Sequence, residues 1–323
     1  MRRRAFITLI GTACAWPLAA LRAVGEDYPN RPITLVVPFP PGGGTDALAR
    51  TAAERMTRSL GQQVVVDNRS GASGNIGTRA VAKAVPDGYT ILLGYTGTLA
   101  INPTLYASPG YARKDFAPIG LIGAMPSVLV VHPSLGVHSV AELIAFARAN
   151  PGKIDYAFSP GTVGHITTEM FARTAGIDIM RIPYKGNGPA ISDLIGGHVS
   201  MMFLSILPVI GQIRAGGLRA LAVSSAVRSD LLPDVPTVGE SGLPGFAAEI
   251  RYGLVAPAAT PRPIIDRLNR AMSVALAADD LRARLAAEGA VPLPGTPEDY
   301  ADAIERDETK WSALVRSLNL KVE

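Results

Sequence analysis

Residues 33–48, ITLVVPFPPGGGTDAL, constrain this chain more than any other stretch. A β-branched apolar run ends in Pro38-Phe39-Pro40-Pro41, passes through Gly42, Gly43 and Gly44, and enters an alanine-rich helical pattern at Thr45. That reads as a strand, a wide loop and a helix N-terminus. The first N–H groups of a helix lack intrahelical acceptors and sit at the positive end of its dipole, so the junction favours an anion.

The same alternation runs along the chain. The patterns predict strands over 33–37, 63–67, 90–94, 127–132, 154–158, 179–182, 199–203 and 219–224. Helices are expected over 45–60, 76–85 and 163–175, after Ser139 with Glu142 three residues on, from Pro189 to Gly196, and around 208–215. Thr260-Pro261 and Thr296-Pro297 each pair an N-cap residue with proline at the first helical position. This βαβ rhythm argues for an α/β fold of two domains, each a mainly parallel sheet flanked by helices. Candidate crossovers lie near 124–126 and 245–249. They divide the chain into a leader over 1–25, a first domain over 26–125 plus 250–323, and a second over 126–249. Two such domains face each other across a cleft that closes by hinging.

Met1-Arg2-Arg3-Arg4 precedes the uncharged run Ala5–Leu21 and the small residues Ala23-Val24-Gly25. A signal peptide is expected, by the twin-arginine route or the general one. The leader holds four arginines and no acid, so its removal leaves 27 basic and 27 acidic residues from the original 31 and 27. No electrostatic case for a nucleic-acid partner survives. Cys14, the one cysteine, leaves as well, so the mature chain has no disulfide, no thiolate nucleophile and no Cys-based metal site.

Four loops lead from strands into helices: Gly42–Thr45, Tyr95-Thr96-Gly97-Thr98, Ser159–His165 and Tyr184-Lys185-Gly186. One glycine loop is only a tight turn, but four at equivalent strand ends suggest a shared cleft. Gly42-x-Gly44-x-x-Ala47, with Asp67 ending the next strand, also resembles a dinucleotide fingerprint. The alternative function is therefore an exported dinucleotide-dependent oxidoreductase. Phe39-Pro40-Pro41 widens the loop where that fingerprint needs a tight turn, and Asp67 has a local turn role open to it. Catalytic groupings are poor: no G-x-S-x-G elbow exists, and the histidines lack metal-ligand spacing. Only His165 has a ligand role to weigh against simple packing.

An ordered set of motifs then carries a resemblance. It runs through Tyr28-Pro-x-Arg-Pro-Ile33, Pro38–Asp46, Asn68-Arg-x-Gly71, Gly74-Asn-Ile-Gly77, Pro86-Asp-Gly-Tyr89 and Thr98-x-x-x-Asn102-Pro103. It continues through Pro183-Tyr-Lys-Gly186, Asp193-Leu-x-Gly-Gly197, Leu218–Val223, Leu232–Thr237 and Gly253-Leu-x-Ala-Pro257. Over nearly all of the mature chain it resembles the Bug family, the periplasmic substrate-binding proteins of tripartite tricarboxylate transporters. The resemblance implies a two-domain Venus-flytrap binding protein, not an enzyme, with neither cofactor nor metal. A monomer is expected to deliver a small carboxylate to membrane permease subunits or a sensor. Family ligand positions fall here on Phe39, Pro41, Gly42, Gly43, Gly44 and Thr45 and on Ser159, Gly161, Thr162 and His165. Thr96, Gly97, Thr98, Tyr184 and Lys185 complete the walls. Relatives often place an acid after the phenylalanine of Met202-Phe203, where this chain has Leu204 and then Ser205. With Leu204 expected at a strand end facing the cleft, a ligand amino group lacks its counter-charge, and a carboxylate without one is favoured. Pro160, where relatives carry glycine or a small polar residue, stiffens its loop.

Overall fold

Strand β1 (Ile33–Val37) lies between β2 (Val64–Asn68) and β3 (Thr90–Tyr95), parallel to both. In this computed structural model the described residues are 28–42 and 44–322; the leader, Cys14 and Gly43 lie outside them. Helix α1 (Gly44–Leu60) follows β1 and buries Leu48, Ala52, Met56 and Leu60, four residues apart, along one face. That 3.6-residue stripe packs on the sheet and on α8 (Arg262–Leu276). Each fully buried leucine or methionine contributes about 1.5–3 kcal/mol. Helix α2 (Asn75–Ala82) connects to β3, and a π-helical turn (Gly97–Ile101) and α3 (Asn102–Leu105) follow it.

The 16-residue strand β4 (Phe116–Val131) organises the molecule. From Phe116 to Pro126 it pairs with β9 (Glu249–Pro257). From Ser127 to Val131 it pairs instead with β7 (Met201–Ser205) and β8 (Arg219–Val223). Between these come α4 (Val140–Ala149), β5 (Asp155–Phe158), α5 (Val163–Ala175), β6 (Met180–Pro183), α6 (Asn187–Ile195) and α7 (Ile210–Arg214). The strand order is β2-β1-β3-β9-β4-β7-β5-β6, with β8 and the short β10 (Val291–Pro292) also on β4. Pairing is parallel within β2-β1-β3 and within β7-β5-β6, and antiparallel wherever β4 or β9 takes part. The two strands on which the chain passes between halves run oppositely, so the α/β sheet is mixed at its centre. Helices α9 (Asp279–Ala287) and α10 (Pro297–Ser317) complete the chain, and α10 buries Tyr300, Ile304, Trp311 and Val315.

Most caps follow the sequence. Ser139 and Thr162 accept from the N–H groups of Glu142 and His165, and Thr296 forms a capping box with Asp299. Thr260 is a correction. Its hydroxyl donates to the Pro257 carbonyl at 2.7 Å and closes the turn after β9, so α8 begins at Arg262 with Pro261 as its cap residue. Among the described residues no helix is long and apolar enough to cross a membrane.

Candidate functional site

A cavity of about 100 Å³ opens where β4 changes partners. It is bordered by Phe39, Tyr95, Ser127, Thr162, Val163, Gly164, Asn187, Phe203, Leu204, Ser205, Ile250 and Tyr252. That is small beside the roughly 300–1,000 Å³ of drug-sized pockets, so the space suits a small solute.

One wall is the first turn of α5. Thr162 caps it, accepting from the His165 N–H at 3.3 Å and donating to the Ser159 carbonyl at 2.8 Å. Val163 and Gly164 follow, their N–H groups being first-turn donors without intrahelical acceptors. No acid lies in this turn. Gly164 is required by close approach, since a Cβ there would stand 2.2 Å from the Phe203 carbonyl oxygen. Opposite, Phe39 meets the Tyr95 ring edge-on at 4.9 Å, and Tyr95 stacks with Tyr252 at 6.1 Å. The Tyr95 hydroxyl donates to the Ser73 carbonyl, and the Tyr252 hydroxyl lies 3.3 Å from Thr45 Oγ1. Burial raises both phenol pKa values, so both stay neutral.

The floor is set by strand register. Ser127 stands directly across from Ser205, and Val128 from Leu204. Side chains alternate between faces, so the two serines share one face and Leu204 takes the other. Leu204 is 2 % exposed and packs in a core with Val128, Ala190 and Leu194. It borders the cavity, but the alternation turns its side chain away from Ser127 and Ser205.

The structure distributes the other sequence-derived candidates widely. Phe39, Thr162, Leu204 and Ser205 border the cavity, and Thr45 reaches it through Tyr252. Thr96 is buried with Oγ1 accepting from the Arg251 N–H at 2.9 Å, and Thr98 donates to the Tyr95 carbonyl. A Cβ on Gly97 would lie 2.4 Å from the Tyr95 ring. Thr98 and Gly97 fit against Tyr95, Thr96 holds the Arg251 backbone, and none of the three borders the cavity. His165 is 4 % exposed and stacks on Phe158 at 4.2 Å, with burial pushing its pKa down to about 4. It is therefore a neutral packing residue behind the loop. Tyr184 donates to Asp193 at 2.7 Å, while Lys185, Pro41 and Gly42 are exposed. Ser159 and Gly161, with φ of +78°, shape the turn into α5.

The α1 end differs from the α5 end. Asp46 accepts from the Gly42 N–H at 2.9 Å, Arg50 Nε at 3.0 Å and Asn68 Nδ2 at 2.9 Å. Burial pushes its carboxyl up, but these three donors outweigh that and hold the pKa at about 2. Glu288 crowds Gly44 so closely that a Cβ there would fall 2.4 Å from Oε1. Asp67 pairs with Arg69 Nε at 2.7 Å, the local engagement that competes with a ribose-binding role.

Sequence reasoning missed Ser127, Asn187, Phe203, Ile250 and Tyr252 as cavity residues, and took Tyr95 only as a loop start. The available signal was Ser127 itself, a polar interruption between Met125-Pro126 and the apolar run Val128–Val131. Among the described residues bordering the cavity none is charged. The first-turn residues Val163 and Gly164, the hydroxyls of Ser127, Thr162 and Ser205 and the amide of Asn187 border it beside aromatic and aliphatic residues, a set whose dipoles suit an anion without counter-ions.

A family model described as the tripartite tricarboxylate transporter family receptor matches residues 48–320. Protein BugT of Bordetella pertussis (strain Tohama I) is 40% identical over 326 residues, covering 100% of both chains. The structure of the periplasmic binding protein BugD superposes with a TM-score of 0.79 at 37% identity, over 92% of this chain and 100% of that one. R. palustris Rpa4515 with adipate gives 0.82 at 38%, over 91% and 99%. MatC from Rhodopseudomonas palustris with bound malate gives 0.79 at 32%, over 89% and 100%. The family model describes a transporter receptor and the BugD structure a periplasmic binding protein, neither of them an enzyme.

Proposed function

This chain belongs to the tripartite tricarboxylate transporter receptor family, and from that premise we propose that it captures a small carboxylate in the cavity at the α5 N-terminus. The observation that carries this reading is a first helical turn without an acid, opening on a cavity bordered by no charged side chain. The Val163 and Gly164 amides meet the carboxylate, and Phe39, Tyr95, Phe203, Ile250 and Tyr252 enclose the apolar body. An ammonium group in that space has no counter-charge, so the solute lacks one. Adipate and malate in the related structures fit this class.

The change of β4 partner between Pro126 and Ser127 supports a division into 26–125 plus 250–323 and 126–249. The cavity then lies between the two domains, where hinging closes it. A monomer delivers the solute to permease subunits in the membrane or to a sensor, after export by the twin-arginine or the general route. Native mass spectrometry of protein purified from the periplasm tests the reading. A co-purified acid without nitrogen supports it, and a bound nucleotide or amino acid contradicts it. Arg3→Lys with Arg4→Lys leaves precursor in the cytoplasm if the twin-arginine route is used, and unchanged periplasmic yield overturns that route.

A further inference from the structure

The turn between β2 and α2 carries two adjacent non-glycine residues in the left-handed region, Ala72 at φ +45° and Ser73 at φ +51°. A side chain in that conformation is costly, and such residues persist only where their surroundings over-determine them. Here the surroundings do so. The Ser73 carbonyl accepts from Tyr95 Oη at 3.2 Å and from Asn102 Nδ2 at 3.1 Å. Asn102 Nδ2 also donates to Asn75 Oδ1 at 2.8 Å, and Tyr111 Oη donates to the same oxygen at 2.7 Å. Asn75, Asn102 and Tyr111 are all buried, so the turn is pinned from beneath. What it presents outward is the Ser73 hydroxyl, which donates to the Pro160 carbonyl at 2.7 Å. Pro160 lies in the turn that leads into α5, and the fixed φ of proline narrows the range over which this carbonyl can swing. A Cβ on Gly161 would stand 3.1 Å from Ser73 Oγ, so the two loops are in close contact. Ser73 is not among the residues bordering the cavity, yet its carbonyl holds the Tyr95 wall and its hydroxyl holds the turn before α5.

Resting on the carboxylate-receptor reading and the domain division above, we propose that Ser73 is a positioning residue, a latch that joins the two walls of the cavity around the solute and delays its release. The solute enters while the walls are apart and the Ser73–Pro160 bond is open. Closing brings the hydroxyl onto the Pro160 carbonyl. That fixes the turn carrying the Thr162 cap and the Val163 and Gly164 amides against the Tyr95 wall. The bond must break before the walls part, so it acts on exit and not on entry. Glycine would take the left-handed backbone at position 73 without cost but has no hydroxyl to reach across. The strained serine keeps one, aimed at the opposite half.

Release and binding of radiolabelled succinate, malate or adipate, whichever wild type binds most tightly, test this on the full mature chain. Dissociation is followed by chase with unlabelled acid, and affinity by isothermal titration. Ser73→Ala and Ser73→Gly should each speed release about three- to tenfold, as expected for loss of one neutral hydrogen bond, and weaken affinity by the same factor. Association should stay within about twofold of wild type, because entry precedes the latch. Without ligand, Ser73→Gly should melt no lower than Ser73→Ala, since glycine relieves the left-handed backbone while both lack the hydroxyl. The stability of the two variants then parts while their release rates agree, which a merely structural role would not produce. Unchanged release in both variants, or a loss that arises from slower association, overturns the latch and leaves the receptor reading intact. Faster release in one variant alone overturns it too, by tracing the effect to the backbone of the turn. Wild-type protein that binds none of these acids overturns the receptor reading, and the latch falls with it.

Discussion

Helices α1 and α5 both begin after a glycine-containing loop at a strand end, yet their N-termini meet opposite surroundings. At α1 the chain supplies its own anions: Asp46 takes the Gly42 N–H, and Glu288 crowds Gly44. At α5 the first turn has no acid, Thr162 caps only the third amide, and the open side is a cavity without charged residues. A helix dipole is the same in both places, so what decides whether an external anion is wanted is whether the fold has already answered it. On the proposed reading, the loop after β1 serves mainly as a wall, carrying Phe39, and the loop before α5 as the anion seat.

The largest expected effect comes from Leu204→Asp. If the side chain packs beside Val128 and Leu194, an unpaired carboxylate is buried and stability falls by about 3–5 kcal/mol, read as a steep drop in melting temperature. A folded variant with changed ligand choice instead would place residue 204 in the cavity.

Gly164→Ala set against Gly42→Ala probes the comparison itself. Alanine gains up to about 1 kcal/mol over glycine within a helix, but a Cβ 2.2 Å from the Phe203 carbonyl costs about 1–3 kcal/mol. The clash wins, and β7 must part from α5, so binding of a dicarboxylate probe should fall at least about tenfold. Gly42 has φ of +87° with open space around it, so its alanine variant loses about 1 kcal/mol of stability and keeps its affinity. Equal binding losses in calorimetry would erase the distinction between the two loops.

Acid exposes the self-satisfied end. The Asp46 pKa is depressed in the fold to about 2, so its contribution is complete above the ordinary carboxylate value of about 3.9 and is lost as pH falls toward 2. The gap in melting temperature between wild type and Asp46→Ala should stay constant from neutral pH to about pH 4 and close below it. A gap that is unchanged at pH 2 contradicts this. The smallest effect belongs to Glu288→Gln, which removes an own-chain charge beside Gly44. Affinity for the dicarboxylate probe should stay within about twofold, a free-energy change below about 0.5 kcal/mol. Tenfold tighter binding would mean that α1 is a second anion seat held in check by Glu288.

The parts of this account that were legible in the sequence share local causes. Helix α5 was bounded by Thr162 and Gly176, a cap and a left-handed terminator that act within a few residues. Strand β1 and its loop were marked by β-branched residues and prolines. The first half of β4 and the whole of β9 were not legible, because strands buried on both faces lose their alternation. The direction of Leu204 depended on register against β4, where one residue reverses every side chain. Glu288 at Gly44 and Tyr252 beside Tyr95 are contacts between segments far apart in sequence, which no local pattern encodes.

The proposed selection of carboxylates without an amino group by an uncharged cavity at the α5 N-terminus can be checked in solution. Calorimetric titration of the purified protein with matched pairs, succinate with aspartate and glutarate with glutamate, tests it most directly. The amino-free acid should bind at least about tenfold more tightly in any pair that binds, the least that an unpaired buried ammonium should cost. Tighter binding of aspartate or glutamate would contradict it.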